Sequence, residues 1–264
     1  MKAILLAGPA RRVTRPLAAW SAALTALLVL NTAFWPAFRD NDGMTALAEG
    51  MPAPLVEALG LGDLGSPAGY LWRLYTLMVP LLMAIAGASV ATALTARDED
   101  GGRYELLLAQ PVGRTGVLAG RLLVTAAWLT ALGTVVLAVQ LASNAAFDLD
   151  MPTGHLAATV ALCTVNALVC ATASVCTAAF VCHPAAAVGT GVGLGVAGYV
   201  ASVLFPMRES WRSVQYLSPW DWALGGGPLT SAPEWWRYTG PLGLAAVLAA
   251  VAIAAFDRRD VHAP

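Results

Sequence analysis

One stretch of this chain, Ala96–Arg114, has the residue types and spacing for chemistry: acids and arginines crowd together between long apolar runs. Asp98, Glu99 and Asp100 come first, then Gly101 and Gly102, then a short amphipathic segment, Arg103–Gln110. Pro111 ends that segment, because proline lacks the donor that a continuing helix needs. Asp98 or Asp100 is placed to cap its start, and Glu105 sits in the first turn, where negative charge suits a helix N-terminus. The chemistry on offer is electrostatic docking, against the plainer alternative of a solvated turn.

Bond-making chemistry has no comparable candidate. His155, His183 and His262 fall in separate segments and do not converge on one metal in the topology expected below. No Ser-x-x-Lys, His-Glu-x-x-His or Gly-x-Ser-x-Gly occurs. Lys2 is the only lysine, so a phosphate-binding loop ending Gly-Lys-Ser/Thr is absent. Gly193-x-Gly195-x-x-Gly198 matches a dinucleotide fingerprint by letters, but it lies inside an apolar run with no strand before it. Its neighbours Gly189, Gly191, Gly193 and Gly195 form overlapping Gly-x-x-x-Gly pairs, which let helices pack closely. The cysteines, at 163, 170, 176 and 182, share one apolar run without a C-x-x-C pair and are read as small apolar filler.

The elements that must position the charged stretch follow from composition. Of 264 residues, 58% are hydrophobic and 12% charged, with mean hydropathy +0.67. Soluble domains carry roughly 25% charged residues, so the class is an all-α integral membrane protein. The net charge of −1 offers nucleic acid nothing to bind. Six transmembrane helices are expected in one domain spanning residues 1–264, at about 16–35, 70–95, 116–144, 156–182, 185–205 and 239–256. Residues 1–15 form an interfacial lead-in. Residues 36–69 and 206–238 are outer segments, the first with a short helix over Pro54–Leu61. Pro80 is expected to kink the second span, and Trp35 to mark a membrane interface.

Arginine placement sets the orientation. With six spans and both termini cytoplasmic, the inner segments hold ten of the Lys and Arg residues and the outer ones five, the positive-inside bias. The Ala96–Arg114 loop then faces the cytoplasm. No carboxylate falls in the middle of a span, which argues against a proton relay. The polar groups of the outer halves, Asn31, Gln140, Asn144 and Asn166, either bond helix to helix or line a substrate path. Trp72 and Tyr75 either anchor the second span or line an outer vestibule.

The charged stretch reads Glu99-x-x-Gly102-Arg103-x-Glu105-Leu106-Leu107-Leu108-x-x-Pro111-Val112-x-Arg114. It resembles the cytoplasmic loop of ABC-2-type ABC transporter permeases, acid-x-x-Gly-Thr-x-Glu-Leu-Leu-Leu-x-x-Pro-Val-x-Arg. Arg103 stands where that pattern has a small hydroxyl residue. The Ser-Pro lead-ins before the second and last spans are similar as well. The resemblance implies an ABC-2 (type V exporter-like) permease fold in a bacterial plasma membrane. It implies that Glu99, Gly102, Arg103, Glu105, Leu106, Leu107, Pro111 and Arg114 form a coupling loop against an ABC ATPase subunit. Two such subunits would carry ATP and Mg, this chain holding no cofactor, and a second copy or a paralogue would complete the pathway. A pathway with few charges suits a hydrophobic drug, antibiotic or lipid-like substrate. Two alternatives stand beside this: a permease-fold component of a maturation or assembly system, and a non-ABC intramembrane enzyme or transporter.

Overall fold

The structure, a computed structural model, describes residues 2–39, 66–108, 112–204 and 218–259. Among these, all regular structure is helical. In chain order the helices are α1 (Lys2–Arg12), α2 (Thr14–Ala33), α3 (Trp35–Arg39), α4 (Pro67–Arg73), α5 (Val79–Leu94), α6 (Ala96–Asp100), α7 (Arg103–Leu108), α8 (Arg114–Ala146), α9 (Thr153–Phe180), α10 (Pro184–Leu204), α11 (Pro219–Leu224) and α12 (Trp236–Arg258). A π-helical segment, Leu74–Met78, joins α4 to α5.

Among the described residues, six helical stretches are long and apolar enough to cross a membrane: Thr14–Ala37, Pro67–Asp100, Arg114–Ala146, Thr153–Phe180, Pro184–Ser202 and Trp236–Arg258. They coincide with the six spans read from hydropathy, and the chain is a multi-pass membrane protein. The expected helix over Pro54–Leu61 lies outside the described residues.

α9 is the hub and packs on α5, α8, α10 and α12. Its sequence explains this: Ala167, Cys170, Ala171, Ala173 and Ser174 are small, so neighbours approach on nearly every side, and all are buried. α2 packs chiefly on α8, and α1 lies across the same helix. Leu30, Leu123, Val196 and Val247 remain exposed, as lipid-facing side chains are.

Pro80 acts one turn earlier than a simple kink. It has no N–H to offer the Thr76 carbonyl, and the helix widens into the π segment immediately before it. Ser66 caps α4, its Oγ accepting from the Gly69 N–H at 3.1 Å, with Pro67 at the first helical position. Trp35, at the end of the first span, packs inward rather than standing free. It is buried, its ring 5.3 Å from that of Tyr70, whose hydroxyl donates to the Asn31 carbonyl at 2.6 Å.

The four glycines read as a packing set divide into two pairs. A Cβ on Gly191 would fall 2.6 Å from the Cys170 carbonyl and 2.8 Å from the Ala88 Cβ; one on Gly195 would fall 3.2 Å from the Ala84 Cβ. Those two seat α10 against α5 and α9. Gly189 and Gly193 are exposed with nothing within 4 Å, so the packing role does not extend to them within this chain. The reason is helical phase: residues four apart share a face, whereas residues two apart are about 200° apart.

Candidate functional site

The predicted loop folds as a helical hairpin, α6 and α7, laid against one end of the bundle. Thr95 breaks the run from α5, with φ −120° and ψ −92°. Its hydroxyl donates to the Ala91 carbonyl at 2.7 Å. The break lets α6 leave the axis of α5, and Asp98 turns into the protein. Gly102, with φ +69°, makes the turn into α7, a conformation that glycine adopts without steric penalty.

Asp98 is the centre of the site, and three arginines from three elements converge on it. Arg12, at the end of α1, donates from Nη1 to Oδ2 at 2.8 Å and from Nη2 to Oδ1. Arg103 Nη1 lies 3.0 Å from Oδ1, and Arg121 Nη2, on α8, lies 3.4 Å from Oδ2. The Asp98 side chain is 0% exposed and that of Arg121 4%, whereas Arg12 and Arg103 are 40% and 55% exposed. Solvent screening leaves the two exposed arginines about 0–1 kcal/mol each. The Asp98–Arg121 pair is different in kind, because removing either partner strands the other as a buried charge. The hydrogen bond that Arg12 donates to Asp98 raises the Arg12 pKa, against the opposing effect of partial burial. Asp98 does not cap the following helix, as its position in sequence had implied, because its oxygens are taken by these guanidiniums.

A second latch lies beside the first. Glu99 pairs with Arg259, just past the end of α12. Arg259 also donates to the Ala178 and Ala179 carbonyls at 3.1 and 3.3 Å. Those are free carbonyls of the last turn of α9, where positive charge is favoured. Arg114 donates to the Arg259 carbonyl at 2.6 Å. Cys182, between α9 and α10, adjoins this pair. Burial raises its pKa first, Glu99 adds to the rise, and Arg259 opposes it.

Tyr104 anchors α7. It is 1% exposed, donates to the Leu94 carbonyl at 3.2 Å, and meets the Phe256 ring edge-on at 5.6 Å. The Arg121 guanidinium stands 5.9 Å from its ring centre. Burial drives the Tyr104 pKa upward. The hairpin is therefore tied to α1, α5, α8, α9 and α12 at once.

Of the predicted loop residues, Glu99, Gly102, Arg103 and Arg114 take part in this arrangement, and Leu107 packs half-buried against the core. Glu105 and Leu106 lie in α7, but their side chains, and Pro111 altogether, are outside the described residues. Asp98, Arg12, Arg121, Tyr104 and Arg259 were not read from the sequence as parts of one site. One signal was there: four arginines at 12, 103, 121 and 259 on an apolar chain, with two acids in one loop to receive them.

The residues weighed as an outer pathway come from five elements: α2, α4, the π segment, α8 and α9. Asn31 is half-buried beside Tyr70, and Trp72 packs half-buried on the core. Tyr75, in the π segment, is buried, and its carbonyl lies 3.8 Å from the Cys163 thiol. Asn166 follows one turn along α9, whereas Gln140 lies near the end of α8. Among the described residues, the Tyr75 hydroxyl, the Asn166 Nδ2 and both amide atoms of Gln140 are buried without a hydrogen-bond partner. Burying such a group unpaired costs about 1–3 kcal/mol. No group of three or more metal-ligating side chains occurs among the described residues. No family model matches this chain, and no curated protein matches it either.

Proposed function

We propose that this chain is the transmembrane permease subunit of an ATP-driven ABC-2-type exporter in a bacterial plasma membrane. ATP is bound and hydrolysed by a separate ATPase, two copies of which dock on the α6–α7 end. A second copy of this chain, or a paralogue, completes the pathway. The substrate is hydrophobic, of the drug, antibiotic or lipid-like class.

The observation that carries the reading is the attachment of the hairpin. Through Asp98 and Glu99 it is joined to α1, α8, α9 and the end of α12, and through Tyr104 to α5. A force applied to α7 is thereby delivered to the long helices rather than lost in a loose loop. Packed networks of this kind carry coupling between sites when they have two discrete arrangements. The unpaired polar groups of Tyr75, Gln140 and Asn166 add support. Their cost is offset if another arrangement of the helices opens them to water or substrate.

The test is to purify the tagged chain in mild detergent and identify what accompanies it by mass spectrometry. The expected result is a stoichiometric ATPase with a phosphate-binding loop, lost when Glu99–Leu106 is altered. In the reconstituted complex, Glu105→Arg is expected to uncouple ATP hydrolysis from transport. Absence of any such ATPase, or unchanged transport in Glu105→Arg, overturns the reading.

A further inference from the structure

A cavity of about 200 Å³ lies between α5 and the junction of α1 with α2. Its walls are apolar, formed chiefly by Val13, Pro16, Trp20, Val90 and Leu94. Arg12 and Arg97 also line it. The cavity exists because α2 leans on α8 and barely touches α5, while α1 turns back across the end of the bundle. Pro16, Trp20, Ser89 and Ala93 are half-buried, so the groove is a cleft in the side of the bundle.

The charge at its α6 end is unbalanced. Arg97 is exposed and has no ion-pair partner among the described residues. Arg12 spends two donors on Asp98, and a guanidinium carries five. Arg12, Arg103 and Arg121 hold Asp98 and Glu99 is held by Arg259, which leaves Asp100 as the other acid of α6 beside the exposed Arg97. An apolar cleft beside membrane-crossing helices, with surplus guanidinium at one end, matches an amphiphile with an anionic head.

We infer that this groove is a binding site for an anionic phospholipid, its phosphate held by Arg97 and Arg12 and an acyl chain lying against Trp20, Val90 and Leu94. Guanidinium and phosphate pair through parallel hydrogen bonds, and basic pockets between membrane helices hold anionic headgroups. A free phosphate would use the arginines but leave the apolar wall without a role, so the occupant is a lipid. The site does not depend on an ATPase partner.

The experiment is native mass spectrometry of the full chain in detergent, titrated in turn with phosphatidylglycerol, phosphatidylcholine and inorganic phosphate. Phosphatidylglycerol is expected to bind in preference to phosphatidylcholine. Arg97→Ala should weaken it about fivefold, the loss of roughly one favourable arginine contact. Because Arg97 is exposed and its side chain has no hydrogen bond or ion pair among the described residues, that variant should keep the melting temperature of the unaltered protein in phosphatidylcholine. Ala93→Phe, which fills the cleft without changing charge, should also weaken phosphatidylglycerol. Equal binding of the two lipids overturns the proposal, as does an unchanged affinity in Arg97→Ala. Saturable binding of inorganic phosphate that survives Ala93→Phe would mean a free-anion site and overturns the lipid assignment.

Discussion

The Asp98 carboxylate and the Arg121 guanidinium face each other at 3.4 Å with neither side chain open to solvent, although they stand on different helices. Arg12 and Arg103 reach the same carboxylate from the solvent side. The innermost pair therefore decides what the network is worth, and the outer two trim it.

Asp98→Asn should destabilise the protein by about 3–5 kcal/mol, because Arg121 is left charged and buried without a counterion. Arg103→Ala, at an exposed position, should cost no more than about 1 kcal/mol. Thermal unfolding in one detergent, followed by circular dichroism, measures both. Similar melting shifts for the two variants would show that Arg121 does not depend on Asp98.

Glu99 and Arg259 should be coupled. A cycle of Glu99→Gln, Arg259→Gln and the double variant is expected to give an interaction of about 0.5–3 kcal/mol. Arg259→Gln should be the worse single change, since it also releases the Ala178 and Ala179 carbonyls. Additive single effects would mean that the two side chains act independently.

Gly191→Leu should block the seating of α10, because even a Cβ at that position falls 2.6 Å from the Cys170 carbonyl. Gly193→Leu, in open space, should leave the single chain folded. Overpacking costs about 1–3 kcal/mol when the structure can yield, and here one neighbour is backbone. Size-exclusion profiles of the two variants separate the cases. Equal yield and shape for both would show that α10 is not held as described.

Cys182 should be the first cysteine to react with a maleimide in the folded protein, since Cys163 and Cys170 are buried and Cys176 half-buried. Its raised pKa means that less thiolate is present at a given pH than for a free thiol, so labelling should be slow near neutrality and quicken as pH rises. Glu99→Gln should lower the pKa and speed labelling at fixed pH. In sealed vesicles, a membrane-impermeant maleimide should reach Cys182 only from the cytoplasmic face. Reaction from the opposite face would invert the proposed orientation.

Much of the architecture was legible from the chain alone. Hydropathy located six spans because a helix with almost no charge over about twenty residues has one solvent in which to sit. Pro80 announced an irregular helix, and the clustered acids of Asp98–Asp100 marked a charged loop between two spans. Those are local properties, determined by which side chains follow one another.

Which charges meet was decided by the tertiary structure. Asp98 looked like a cap because, in sequence, the nearest free donors belong to the backbone just after it. In the fold, Arg12 and Arg121 arrive from 86 residues upstream along the chain and from a separate span, and three guanidiniums outbid backbone N–H groups for one carboxylate. The glycines show the same division. The sequence determined that Gly189, Gly191, Gly193 and Gly195 are small. Only the rotation of α10 against α5 and α9 decided that Gly191 and Gly195 face inward and the other two do not. Composition and order determined the solvent of each segment, whereas burial, which needs partners distant in sequence, decided the site.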